Sequence, residues 1–168
     1  EDYPAARLAY MKLLQIGAKE VANDNTYMDV ILRLAATEAR LQDFDSAEGR
    51  LRALLKESPN ERFLIRIEAL RAQLRKTQGK SGEAYAILSN LQKIVPIKHW
   101  PPEESSFLVG LEYSLNKKYA GILENAERLA EASLHEESLV LYREVIDAVE
   151  GHYFPAVDNT DDSGDDKS

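Results

Sequence analysis

The sequence predicts an all-α protein, and three observations lead to that fold class. Ala, Leu, Glu, Lys and Arg make up 81 of the 168 residues, a share typical of helix-rich chains when a helical period accompanies it. Eight Gly and six Pro leave long stretches without a helix breaker. Apolar residues recur three and four positions apart along most of the chain, whereas Val and Ile never alternate with polar residues over a useful length.

Seven helices follow from the apolar positions and the breakers between them. The cluster Ala22 to Thr26 separates the first helix from the second, and Asp43 or Asp45 can cap the third. Ser58 to Asn60 ends the third helix because proline cannot continue a helix interior, and Gly79 marks the turn after the fourth. The expected ranges are 3–16, 27–41, 45–57, 61–77, 81–94, 103–133 and 136–149.

The sixth range differs from the others in its start and its length. It follows a linker, Val95 to Pro102, and its first turn carries Glu103 and Glu104, which the helix dipole stabilises at that end. No strong breaker lies between residues 103 and 133. One long helix and two helices with a kink near Gly121 are both compatible with this range.

A short sequence pattern recurs along the chain. Each copy has a small residue near the start of a helix and a large residue four positions later. The copies are Ala6 with Tyr10, Ala47 with Leu51, Ala84 with Leu88, and Ser138 with Tyr142. Pro59 and Pro96 close the second and third copies. This pattern resembles the second helix of a tetratricopeptide repeat, in which a proline ends the unit.

The resemblance implies antiparallel helix pairs stacked as a right-handed superhelix, an α-solenoid, over residues 1–150. Two features depart from the family. The small residues that begin the copies are 41, 37 and 54 positions apart rather than a constant 34. Isoleucines also stand where the family has its first signature Trp, at Ile31, Ile67 and Ile122. A related helical repeat or a generic helical bundle is the alternative.

The first copy is a second helix with no first helix before it. Its apolar residues Tyr10 and Leu14 would therefore lack a partner on one side. Either the chain is a fragment of a longer protein, which we favour, or this edge is an interface in a homo-oligomer.

Members of the resembled family bind peptides or helices in a concave groove lined by the first helix of each pair. Transferring the groove positions requires assuming a one-residue insertion before Gly79. The charged positions are then Arg33, Arg40, Glu68, Arg75, Lys76, Glu124 and Glu127. The middle of this groove is basic, which suits an acidic or C-terminal carboxylate ligand, although these residues could equally be solvated helix faces. The carboxylate clamp of chaperone-binding members of the family needs particular Lys and Asn residues, and Ala36 occupies the position of one such Asn, which disfavours a clamp of that type.

The composition and motifs exclude several classes of function. With 29 acidic and 21 basic side chains the net charge is −8, which argues against general nucleic-acid binding. No apolar run is long enough to cross a membrane. The absence of Cys rules out disulfides, thiolate metal sites and cysteine nucleophiles, and leaves the cellular compartment open.

No residue pattern for metal or cofactor chemistry is present. His99, His135 and His152 are far apart, and the sequence at His135 lacks the second His of an HExxH motif. The chain has no nucleotide-binding glycine loop and no Gly-x-Ser-x-Gly motif. We therefore expect a non-enzymatic scaffold or adaptor without a cofactor, whose partner is another protein. The alternative is an assembly module without a groove ligand.

Residues 151–168 form a C-terminal extension with an acidic end. Residues 158–168 hold five Asp and one Lys, a composition typical of disorder. Two alternatives are contact with residues 61–80, which carry a net charge of +4, and calcium binding at Asp158, Thr160 and Asp162. The calcium-binding alternative is weak because the final Glu of an EF-hand loop is missing.

Overall fold

The structure is a computed structural model that describes residues 2–17 and 24–153. Within those ranges the chain forms α-helices and one short 3₁₀ helix, without a strand, which confirms the all-α prediction. The α-helices are α1 (Tyr3–Gln15), α2 (Asp24–Arg40), α3 (Phe44–Lys56), α4 (Glu61–Thr77), α5 (Ser81–Ile94), α6 (Pro102–Glu131) and α7 (His135–Tyr153). The acidic segment 158–168 lies outside the described residues.

Helix α6 settles the question that the sequence leaves open. It runs as one helix from Pro102 to Glu131, with Gly121 in its interior. The described chain divides into two compact units between Tyr113 and Ser114, so that this division falls within α6.

Side-chain caps define where three of the helices begin. Asp2 accepts a hydrogen bond from the N–H of Ala5 at the start of α1, over 3.1 Å. Asn60 accepts one in the same way at the start of α4. Asp43 accepts from the N–H of Ser46 and is therefore the cap of α3, one of the two candidates that the sequence offers. Hydrogen bonding to Ser46 lowers the pKa of Asp43.

The same turn joins three pairs of helices. Each turn has one residue in the left-handed region of backbone space: Gln42 (φ 62°), Gly79 (φ 78°) and Ser133 (φ 64°). In each turn the following residue donates its N–H to the carbonyl five positions earlier, over 2.9 Å, and the left-handed residue donates to the carbonyl three positions earlier. This is the Schellman arrangement, which satisfies carbonyls at the end of the first helix.

Small buried residues flank each of these turns at a constant separation of 12 positions. The pairs are Ala35 and Ala47, Ala72 and Ala84, and Ala126 and Ser138. In the last pair the Ser138 hydroxyl donates to the Ala126 carbonyl over 2.9 Å. Helices α2 and α3, helices α4 and α5, and the end of α6 with α7 are therefore copies of one helix-turn-helix unit, which gives the chain a general helical-repeat character.

The first unit has two hydrophobic cores. Helix α2 packs against α1, α3 and α4, and α4 also packs against α3 and α5. The first core contains Ile31, Leu32, Ala35, Ala47, Leu51, Leu54, Phe63, Ile67 and Leu74. The second contains Ile65, Ala72, Ala84, Leu88, Leu91, Val95, Trp100, Leu108 and Leu111. Trp100 is fixed in the second core by a hydrogen bond from its indole N–H to the Val95 carbonyl, over 2.9 Å.

A buried ionic group lies beside the first core. The carboxylate of Glu38 is fully buried and accepts a hydrogen bond from Nε of Arg50 over 2.7 Å. Its other oxygen lies 3.6 Å from Nε of Arg7, whose Nη2 donates to Asp43. Because these residues belong to α1, α2, α3 and the turn before α3, the group ties α1 to the first helix pair.

Candidate ligand-binding cleft

A cleft of about 530 Å³ lies in the first unit, between α2, α4 and the first two turns of α6. Helix α2 provides one wall, α4 the floor and α6 the opposite wall. The lining residues are Leu32, Arg33, Ala36, Arg66, Ala69, Leu70, Gln73, Glu103, Glu104 and Phe107.

Helices α2 and α4 line this cleft with equivalent faces. Both helices have 17 residues, and the turns that follow them, at Gln42 and Gly79, are 37 positions apart. The lining residues obey the same shift, as Leu32 and Ala69, Arg33 and Leu70, and Ala36 and Gln73. The structure therefore has no insertion before Gly79, and of the transferred positions on α4 only Ala69 lines the cleft, whereas Glu68 and Arg75 do not.

Two arginines lie at the α2 side of the cleft, and only one of them forms an ion pair among the described residues. Arg66 reaches from α4 to Asp29 on α2 through an ion pair, and its guanidinium carbon lies 5.5 Å from the centre of the Phe63 ring. Arg33 is exposed at the cleft and has no ion pair among the described residues. Arg33 is therefore the cleft arginine whose charge is available to a ligand.

The opposite wall is acidic. Glu103 and Glu104 lie in the first turn of α6, and neither forms an ion pair within the described part of the chain. One turn later Phe107 completes the wall, with Nζ of Lys76 5.2 Å from its ring centre. Lys76 thus lies next to the cleft, on the side of α4 that faces α6.

Glu68 and Arg75, which the transferred repeat placed in the groove, belong to an ionic cluster on another face of α4. Arg71 donates to Glu48 and to Glu68, each over 2.9 Å. Arg75 lies 3.6 Å from Glu48 and 3.5 Å from Glu83. These charges are used within the protein, which also reduces the net positive charge that residues 61–80 can offer to the acidic segment.

The protonation behaviour of this cluster reflects a balance between burial and its arginines. Burial raises the pKa of Glu68, and Arg71 offsets only part of that effect. Burial also acts to raise the pKa of Glu48, but the charges and hydrogen bonds of Arg71, Arg52 and Arg75 outweigh it and lower that pKa.

The remaining predicted groove residues lie outside the cleft. Arg40 is exposed at the end of α2 and does not line it. Glu124 and Glu127 are exposed in the second unit, where Glu124 pairs with Arg128 over 2.7 Å. The structure therefore brings together Arg33 and the neighbourhood of Lys76, but not the full predicted set.

Helix α1 has two apolar faces. Leu14 packs against the first core and Tyr10 is half-buried, so both point towards the protein. The exposed face instead carries Leu8, Leu13 and Ile16, with exposed fractions of 61%, 47% and 75%.

The transferred repeat positions include Leu32, Arg33, Ala36 and Ala69, which line the cleft, and they miss its other six lining residues. The sequence does contain a signal for the lining face of α4. Ala72 follows Ala35, and Ala84 follows Ala47, at the same spacing of 37 residues, which predicts that face without an insertion. For Glu103 the sequence indicated only a helix start.

Comparison with family profiles, curated proteins and solved structures finds no match to this chain. Among the described helices, none is both long and apolar enough to span a membrane. Within the same residues no cluster of three or more His, Asp or Glu side chains could hold a metal ion.

Proposed function

We propose that the protein is a non-catalytic interaction module, a scaffold or adaptor, that binds a peptide segment of another protein in the cleft. The observation that carries this proposal is the composition of the cleft. Small residues, Ala36 and Ala69, leave room for a ligand backbone, while Arg33 on one wall and Glu103 on the other have no ion pair among the described residues. Half of the ten lining residues are polar or charged, so the cleft can offer hydrogen bonds and ionic contacts to a ligand as well as apolar contacts.

We further propose that the helix pairs stack as a tetratricopeptide-like right-handed superhelix. The three equivalent turns and the small residues 12 positions apart support this arrangement. In such a solenoid the first helices of successive pairs lie side by side, as α2 and α4 do at the cleft.

The binding proposal can be tested by filling the cleft. Ala36→Trp places a large side chain at the wall formed by α2, whereas Ala53→Trp places the same side chain at an exposed position of α3 outside the cleft. A phage-displayed library of random linear peptides is selected on each protein, and circular dichroism checks that both variants are folded. Enrichment by wild type and Ala53→Trp, but not by Ala36→Trp, is the expected result. Equal enrichment by all three proteins would refute binding in this cleft.

Assembly through α1 is a second candidate, because Leu8, Leu13 and Ile16 expose an apolar face. Light scattering on the wild type and on Leu8→Glu/Ile16→Glu tests it. A control substitution is Val140→Glu, at another exposed apolar residue. Assembly requires a mass above the 18.9 kDa of one chain that falls only in the α1 variant. A wild-type monomer would exclude self-assembly through this face.

A further inference from the structure

The charges of the cleft differ between its two walls. On the α2 side Arg33 is the cation without an ion pair among the described residues, since Arg66 is neutralised by Asp29. On the α6 side Glu103 and Glu104 carry two negative charges, and within the described chain no cation pairs with them. Lys76 also lies beside the α6 side, with its Nζ 5.2 Å from the Phe107 ring centre, and it offsets one of the two negative charges there. A ligand that spans the cleft therefore meets a net positive charge at the α2 wall and a net negative charge at the α6 wall.

The span of the cleft sets the length of an extended ligand. Packed helices lie about 8–10 Å apart, so the two walls are separated by about 16–20 Å across α4. An extended chain covers that span with about five or six residues, at 3.2–3.4 Å per residue.

The floor supplies groups that suit a peptide backbone. Ala69 has a short side chain, which permits close approach of the ligand chain. The exposed amide of Gln73 can donate to a carbonyl and accept from an N–H. Leu70 adds an apolar contact between the two walls.

Resting on the proposed function, we infer that the ligand is an extended segment of about six residues with an acidic residue at one end, a basic residue at the other, and small or apolar residues between them. The acidic side chain lies against Arg33, whose guanidinium matches a carboxylate, and the basic side chain lies against Glu103 and Glu104. The ligand is thus defined by its charge polarity rather than by a terminal carboxylate.

A peptide-selection experiment tests this polarity. A phage-displayed library of random linear dodecapeptides is selected on the wild type, on Arg33→Glu and on Glu103→Lys/Glu104→Lys. Matched controls reverse exposed charges on the same helices outside the cleft, as Arg40→Glu on α2 and Glu112→Lys on α6. Sequencing then gives the residues enriched at each position for each protein.

The expected result is specific to each wall. The wild type and both controls enrich an acidic and a basic residue about four to six positions apart. Arg33→Glu loses the preference for the acidic residue, and the double Glu variant loses the preference for the basic one. For one wild-type peptide synthesised with a fluorophore, Arg33→Glu weakens binding about five- to tenfold in fluorescence anisotropy, and exchanging the peptide's acidic residue for Lys restores it.

The outcomes separate the inference from the proposed function. A wild-type protein that enriches no peptide overturns both. A different outcome is that Ala36→Trp abolishes peptide binding, but the bound peptides have no pair of opposite charges or are unaffected by reversal of the Arg33 charge. That outcome is consistent with the proposed function and overturns the inference. An equal effect of Arg40→Glu would mean that general charge attraction, not the cleft wall, selects the ligand, and would also overturn it.

Discussion

Replacing Glu38 by Gln should reveal how much the buried ionic group contributes to the free energy of unfolding. The substitution keeps the shape of the side chain and removes its charge. The amide oxygen of Gln can still accept from Arg50, so the substitution removes the ionic part of a charge-assisted hydrogen bond that contributes about 1.5–3 kcal/mol in all and leaves the Arg50 charge without its counter-charge. Arg50 is 30% exposed and can still reach water, so the penalty for leaving its charge unpaired is reduced. We therefore expect Glu38→Gln to cost about 2 kcal/mol.

Arg7 should contribute less to the same group. Its Nε lies 3.6 Å from Glu38, beyond hydrogen-bond distance, and its side chain is 36% exposed. Because this contact is not a hydrogen bond, the coupling energy between Glu38→Gln and Arg7→Gln should be smaller than that between Glu38→Gln and Arg50→Gln. The coupling energy is the quantity to compare, because Arg7→Gln by itself also removes the hydrogen bond to Asp43.

The assay is urea unfolding at 25 °C followed by far-ultraviolet circular dichroism. A double-mutant cycle with Glu38→Gln and Arg50→Gln isolates their interaction, which should be about 1.5–2 kcal/mol. Arg52→Gln serves as the control, because the Arg52 side chain is 56% exposed in its pair with Glu48 and should change stability by under about 0.5 kcal/mol. A coupling energy below about 0.5 kcal/mol would refute the reasoning.

Three further predictions concern stability. Gly79 has a φ of +78°, so Gly79→Ala should lower the urea midpoint by the equivalent of about 1 kcal/mol, whereas Gly49→Ala, in open space on a helix, should raise it by about 0.5–1 kcal/mol. Trp100→Phe should cost about 1–3 kcal/mol by the same assay, because it leaves a buried carbonyl without its donor. Glu48 has a lowered pKa because its arginines outweigh burial, so its contribution is present above pH 4.5 and is lost as the pH falls through the folded pKa. Burial raises the pKa of Glu68, so stability should rise as the pH falls from that raised pKa towards 4.5. Urea unfolding measured from pH 7 to 3 tests both effects. In Glu48→Gln the part of the acid-side decrease in the free energy of unfolding that comes from Glu48 should be absent, and in Glu68→Gln the increase below the raised pKa should be absent.

The helices could be predicted from the sequence because their signals are local. Apolar spacing and breakers such as Pro59 and Gly79 depend only on neighbouring residues, and they place all seven helices of the described chain close to their observed bounds. The one-helix alternative for residues 103–133 is the observed one, because a single glycine such as Gly121 costs only about 1 kcal/mol in a helix interior and does not end the helix.

The cleft could not be predicted because it depends on register and on contacts distant in sequence. One assumed inserted residue rotates a helix face by about 100°, which adds Glu68 and Arg75 to the expected lining and leaves out Leu70 and Gln73. On α1, apolar residues lie on both sides of the helix, so the pattern alone does not tell that Leu14 faces the core.

The constant separation within each helix pair has a consequence for how the length of this chain can change. The small residues stay 12 positions apart, while the distance between successive turns grows from 37 to 54 positions. An extra residue beside Gln42 would turn one helix by about 100° and shift it by about 1.5 Å, pulling Ala35 and Ala47 out of contact range. Residues added between pairs leave those contacts intact. Natural lengthening and engineered insertions should therefore be tolerated near Asn60, between two pairs, and rejected at the turns within them.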